Sequence, residues 1–242
     1  MSGHSKWATT HRQKSAADAK KGAIFTKLAN LITIAAREGS GDPEANFKLR
    51  LAIDKAREAN MPKDNIERAI AKGAGTNKDG ANFEEVIYEA VGPAGSGFII
   101  EAVTDNKNRT VADLKSVLNK NGGQLSASGS VSWNFKRLGS VIISSADLSE
   151  EQELELIDAG AEDVKKIPLT NEAEINSSVE VLSQVANKAK ELGLAIKETA
   201  IIYQAKDEIN ITADTDREKI ERLYGAIDDL DDVTNVYTNA SW

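Results

Sequence analysis

The 242-residue chain contains no cysteine. Disulfides, thiolate metal sites and cysteine nucleophiles are excluded, and the composition suits a reducing compartment. Histidine is almost as scarce. His4 and His11 are the two present, and neither has a carboxylate or a second histidine at zinc-ligand spacing. No apolar run approaches the ~18 residues that a membrane span needs. No secretory signal is visible either: the best early apolar stretch, 24–36, is interrupted by Lys27 and Asn30 and begins too late. The glycines of 92–97 are not followed by Gly-Lys-Ser/Thr, so this segment reads as a hairpin turn rather than a phosphate loop. The serines of 126–130 lack a nearby base and do not form a nucleophile elbow. With no acid/base pair, nucleophile, metal site or cofactor motif in view, the chain reads as a non-enzyme that carries no cofactor.

What the chain does have is an uneven distribution of charge. The first 37 residues hold seven cations (Lys6, Arg12, Lys14, Lys20, Lys21, Lys27 and Arg37) against Asp18 alone, in a chain whose net charge is −8. Residues 1–80 carry 15 basic and 9 acidic groups, whereas 81–242 carry 15 basic and 29 acidic, a net of −14. An acidic protein with a basic opening segment is expected to present that segment to a polyanion. The arm over 3–14 adds Trp7 to its cations. Lysine and arginine neutralise phosphates with little regard to sequence. Trp7 offers either a stacking face for a base or a packing group for the helices that follow. The candidate nucleic-acid contacts are therefore His4, Lys6, Trp7, His11, Arg12, Lys14, Lys20, Lys21 and Lys27. Nothing resembles a helix-turn-helix reader, so recognition by shape and phosphate is expected. A second cluster, Asp228, Asp229, Asp231 and Asp232, lacks the spacing and glycine of a calcium loop. It reads as a solvated helix end, although the helix dipole disfavours acids there.

Hydrophobic spacing sets the expected fold class at α+β. Ile24, Leu28, Leu31 and Ala35 form a helical stripe, with Gly39 as its stop. Asp42 and Pro43 read as N-cap and first residue of a second helix. Pro62 opens a third, which Gly73 ends, so the first domain is a three-helix unit over 1–80. Two ferredoxin-like α/β domains are expected after it: a discontinuous one over 81–134 and 208–242, and one over 135–207 inserted within it. Within the first of these, 124–135 reads as a strand.

Several segments together resemble the YebC/PmpR family. They are Gly3-His4-Ser5-Lys6-Trp7, Lys20-Lys21-Gly22, Phe25-Thr26-Lys27-Leu28, Met61-Pro62-Lys63-Asp64-Asn65-Ile66, Tyr88-Glu89 before Gly92-Pro93, Asn108-Arg109-Thr110, Gly129-Ser130-Val131-Ser132-Trp133, and Asp231-Asp232-Val233-Thr234-Asn235. The similarity spans essentially the whole chain. Small departures follow Trp7 and surround Trp133, and they put no domain in doubt. The resemblance implies an N-terminal helical domain, two α/β domains and a cytosolic, non-enzymatic role in gene expression. Bacterial members are described as DNA-binding transcriptional regulators, and some look like ribosome-associated factors that relieve stalling at proline-rich stretches. A mitochondrial relative is a translational activator of a cytochrome oxidase subunit. The expected partner is thus nucleic acid, rRNA or DNA, with the ribosome as the favoured setting and a DNA-binding transcriptional regulator as the alternative; no membrane partner is expected. The −14 charge of 81–242 favours the rRNA reading, because it repels duplex DNA from most of the surface.

Overall fold

A computed structural model of the chain describes residues 18–75, 83–168 and 170–242. Three helices come first: α1 (Asp18–Glu38), α2 (Phe47–Glu58) and α3 (Lys63–Gly73). Their inward stripes meet as the spacing requires. Leu28, Ile32 and Ala35 of α1 pack on Leu49, Ile53 and Ala56 of α2 and on Ile66 and Ala69 of α3, with Met61 closing the turn. Gly73 has a packing role beyond that of a stop. A Cβ there would sit 2.2 Å from the Thr33 carbonyl, so only glycine lets α3 approach α1 this closely.

The start of α2 differs from the sequence expectation. Asp42 and Pro43 lie in the preceding turn, where Asp42 accepts from the Glu44 N–H at 3.0 Å. Asn46 is the cap. Its Oδ1 accepts from the Leu49 N–H at 3.1 Å, while its Nδ2 donates to the Ala35 and Ser40 carbonyls at 2.7 and 2.8 Å. One amide thus satisfies the unpaired ends of two helices, which Asp42 could not do because a carboxylate only accepts.

The α/β part contains two four-stranded antiparallel sheets. The first is built from β1 (Glu84–Val91), β2 (Gly97–Thr104), β3 (Gln124–Ser126) and β9 (Val233–Thr238), in the order β3-β1-β2-β9. Helices α4 (Lys107–Lys120) and α7 (Asp214–Asp228) cover it, burying Leu114, Leu118, Ile220, Leu223 and Ile227 against Phe98, Ile100 and Val236. The second uses β4 (Phe135–Ile143), β5 (Ala161–Ile167), β6 (Glu172–Ser177) and β7 (Ile196–Ala205), in the order β5-β6-β4-β7. With α5 (Glu150–Asp158) after β4 and α6 (Leu182–Glu191) after β6, this is the ferredoxin-like βαββαβ arrangement. Its core joins Val141, Ile143 and Ile175 to Leu156, Leu182 and Val185. A short parallel pair, β8 (Ile209–Asn210) with β10 (Ala240–Ser241), ties down the C-terminus. The two sheets meet through Ile99, Val131, Phe135 and Tyr237, with the Tyr203 and Tyr237 rings 5.4 Å apart.

The strand expected over 124–135 is corrected: it stops at Ser126 and gives way to a turn with Gly129 at φ 89° and a 3-10 turn at Ser132–Asn134. The cause is Glu89 of β1. Its carboxylate accepts from the N–H groups of Gly129, Val131 and Ser132 at 2.7, 2.6 and 2.9 Å. Donors committed to one carboxylate are not available to a strand ladder.

Candidate nucleic-acid interface

Of the nine predicted contacts, His4, Lys6, Trp7, His11, Arg12 and Lys14 lie outside the described residues. Lys20 and Lys21 stand in the first turn of α1. Lys27 is described fully, and it turns inward. Its ammonium donates to the carbonyl of Asp228, at the end of α7, at 2.5 Å. Burial lowers its pKa, while the charges of Asp228, Asp229 and Asp231 push the other way. A cation at a helix C-terminus meets both the unpaired carbonyls and the negative end of the dipole.

That contact also explains part of the acidic cluster, which the sequence left as a solvated helix end. Asp229 and Asp231 are exposed, but the Asp232 side chain is only 15% exposed. It accepts from the Thr110 hydroxyl at 2.7 Å, from the Thr104 hydroxyl at 3.1 Å and from the Arg109 guanidinium at 3.0 Å. The segments 108–110 and 231–235 are therefore parts of one structural junction. Among the described residues no group of three or more His, Cys, Asp or Glu is arranged to hold a metal ion.

Other cations of the helical unit also face the acidic sheets. Lys48 bridges Glu38 and Glu85 at 2.7 and 2.8 Å, and these partners raise its pKa against the opposing effect of burial. Lys55 donates to Asn235 Oδ1 at 2.8 Å. Arg37 donates to the Phe83 carbonyl, and Lys72 sits 5.1 Å from the Phe83 ring centre. The positively charged half is thus docked on the negatively charged half by its own lysines and arginines.

Between the helices and the two sheets lies a cleft of about 1510 Å³, lined by Lys27, Lys48, Lys55, Glu101, Arg137 and Glu174 among others. Glu101 accepts from Asn235 Nδ2 at 2.8 Å and from the Tyr237 hydroxyl at 3.3 Å. Glu174 accepts from the Ser140 hydroxyl at 2.8 Å. Burial raises the pKa of both carboxyls. A lining of mixed sign with buried carboxylates is not a track for a phosphate backbone.

Sequence reasoning missed the loop around Glu89, because the pairing of a β1 carboxylate with amides some forty residues later leaves no local signal. A family model for the TACO1/YebC protein N-terminal domain matches residues 5–76, and one for the TACO1/YebC second and third domain matches residues 83–240. The chain belongs to the TACO1/YebC family. Its relatives include a protein of Bifidobacterium animalis subsp. lactis, 45% identical over 240 residues covering 99% of this chain and 94% of the relative. Another, from Thermotoga maritima, is 46% identical over 241 residues covering 99% and 93%. Both bear the name "Probable transcriptional regulatory protein". The crystal structure of a conserved hypothetical protein from Aquifex aeolicus superimposes with a TM-score of 0.81 at 40% identity, covering 93% of this chain and 91% of that one. The family assignment agrees with the resemblance carried by the motifs, and the TACO1/YebC fold accounts for why two of those motifs, 108–110 and 231–235, meet at Asp232.

Proposed function

We propose that this TACO1/YebC protein is a non-enzymatic, cytoplasmic regulator of gene expression that binds nucleic acid through its basic opening segment. The observation that carries this reading is how the cations are used. Lys27, Arg37, Lys48 and Lys55 are engaged inside the protein. The segment before Lys27 carries Lys6, Arg12, Lys14, Lys20 and Lys21 against Asp18 as its one acid. On this reading Lys27 is a strut that aims α1, and the arm before it makes the phosphate contacts. Among the described residues no helix is long and apolar enough to cross a membrane.

The reading favours rRNA on the ribosome, with relief of stalled translation as the activity. A basic helical unit leading an acidic body of net −14 suits insertion among RNA phosphates with the acidic part kept outside. The units on this reading are 1–80, 81–134 with 208–242, and 135–207; the pairing of β9 with β2 around the second sheet supports it. Transcriptional regulation is the second reading, supported by the name that the bacterial relatives bear.

The test is crosslinking in cells with parallel sequencing of bound RNA and DNA, for the wild type and for the double variant Lys6→Glu, Arg12→Glu. Enrichment at one region of rRNA is expected. The variant should lose binding by about tenfold or more at physiological salt, because it removes two counterion-releasing contacts and sets two carboxylates against the phosphates. Its melting temperature should match that of the wild type. Enrichment at promoters with rRNA at background would install the transcriptional reading, and undiminished binding by the variant would remove the arm's role.

A further inference from the structure

Trp133 is 66% exposed, yet the segment that carries it is held by several hydrogen bonds from distant parts of the chain. Its neighbours Val131 and Phe135 turn inward to the contact between the sheets, and Trp133 does not join them. The indole Nε1–H donates to the Ser130 carbonyl at 3.0 Å, which satisfies its polar edge within the loop. Glu89 gathers the N–H groups of Gly129, Val131 and Ser132 from this loop. Behind it, Asn134 Nδ2 donates to the Asp207 carbonyl at 2.8 Å, and Asn134 Oδ1 accepts from the Asp207 N–H at 2.9 Å. The Lys206 ammonium donates to the Trp133 carbonyl at 2.7 Å. The backbone around the ring is thus bound on three sides.

We propose that Trp133 is a stacking platform for an unpaired base of a single-stranded nucleic acid, a contact separate from the basic arm. The proposal rests on the nucleic-acid reading above and names a second site for it. Three observations favour a base over a protein partner. First, among the described residues Trp133 is the one exposed large apolar side chain of its loop; Ile87 and Val91 lie on β1, on the same face as Glu89, and Leu154 and Ile157 lie on α5. A protein interface needs a packed apolar centre ringed by further contacts, whereas a base needs one ring face. Second, the same segment carries the hydroxyls of Ser126, Ser128, Ser130 and Ser132, and the Lys206 ammonium meets the Trp133 backbone carbonyl. These suit sugar and phosphate. Third, the one carboxylate beneath the loop, Glu89, has its charge tied to backbone donors, with burial opposing and those hydrogen bonds prevailing to lower its pKa. Stacking rather than charge should therefore supply the affinity, and its salt dependence should be shallow. An aromatic held in place before its ligand arrives has little ordering cost left to meet on binding.

The experiment compares wild type with Trp133→Ala and Trp133→Phe by fluorescence anisotropy of a labelled 12-nucleotide mixed-sequence RNA, the same sequence as DNA, and the corresponding duplex. The Ala variant should bind the single strand about 5- to 150-fold more weakly. The Phe variant should retain most of the affinity, duplex binding should be unaffected, and all three proteins should melt together. Whichever single strand is hit harder identifies the source of the base. A Trp7→Phe, Trp242→Phe protein, in which Trp133 is the remaining tryptophan, should show saturable quenching by the single strand. Single-strand affinity of Trp133→Ala within twofold of a wild type that does bind would overturn the platform and leave the arm intact. Failure of the wild type to bind any strand would remove both readings. If the wild type self-associates, and Trp133→Ala abolishes this at unchanged strand affinity, the residue is a protein contact and the proposal is wrong.

Discussion

Glu89 and Glu101 stand on adjacent strands and on the same face of the first sheet, since Glu89 lies opposite Ile99 and Ile87 opposite Glu101. Their carboxyls have been driven in opposite directions. Burial works to raise both. At Glu89 the N–H groups of Gly129, Val131 and Ser132 overcome it and hold the pKa below the ordinary 4.5. At Glu101 the Asn235 amide, the Tyr237 hydroxyl and the charges of Lys55 and Arg137 do not, and the pKa is raised. Two things differ: the Glu101 carboxyl is the more strongly desolvated, and the Glu89 carboxyl has three backbone donors, which hold firmly because they cannot withdraw. The consequence is spatial. One end of the face is a fixed loop that presents Trp133, and the other opens on the cleft against the helical unit.

Glu89→Gln should break this contrast with the largest effect. Its amide would aim a donor at N–H groups that now find an acceptor, and hydrogen bonds to a charged group are worth roughly 1.5–3 kcal/mol each when broken singly. We expect a loss of about 3 kcal/mol in urea unfolding, and faster amide exchange confined to 127–134. The linkage has a definite sign. A carboxyl with a depressed folded-state pKa contributes stability that is full above its unfolded value and is lost as pH falls through its folded value. The wild type should therefore shed this contribution at pH values below 4.5, and the variant should lack that part of the profile.

The contrast also shows where sequence reading succeeds. The stripe Ile24, Leu28, Leu31 and Ala35 and the Pro62 start of α3 are local patterns, and the helices follow from them, with Leu28 and Ala35 in the core and Ile24 and Leu31 at its edge. The α+β class follows from the change of period after residue 80. What sequence could not carry were partners distant in the chain. Nothing local to 124–135 announces Glu89, so a β-rich run was read as strand. Asp42-Pro43 is a good helix start by composition, and it lost to Asn46 because only an amide could serve α1 and α2 together. Lys27 read as a phosphate contact by its neighbours, while the chain brings Asp228 to it from 201 residues away. The exposed indole of Trp133 follows from the same long-range hold, so that part of the candidate site was not legible.

Asp232 supplies the intermediate case: a carboxylate held by side-chain donors rather than backbone. Asp232→Asn keeps one acceptor but turns a donor toward Arg109 or the Thr110 hydroxyl. We expect a loss of about 1–2 kcal/mol in thermal or urea unfolding, smaller than at Glu89 because hydroxyls can rotate and the guanidinium can retreat to Asp105, which it already meets at 2.9 Å. A loss as large as that of Glu89→Gln would mean that side-chain donors hold as firmly as backbone ones.

Glu101→Gln should have the smallest effect, and of the opposite sign. A raised carboxyl pKa means that the folded state binds its proton more readily than the unfolded state does, so stability from this group grows as pH falls toward 4.5 and is forfeited at neutrality. Glutamine keeps an oxygen to accept from Asn235 and Tyr237 and removes the buried charge. At pH 7 the variant should be more stable than the wild type by less than about 1 kcal/mol, and the gap should narrow on acidification. Paired thermal melts at pH 7 and pH 5 measure both quantities. A destabilised variant at pH 7 would show that Lys55 and Arg137 compensate the Glu101 charge after all. The cleft would then be held shut by ion pairing, and the two ends of the sheet face would be alike.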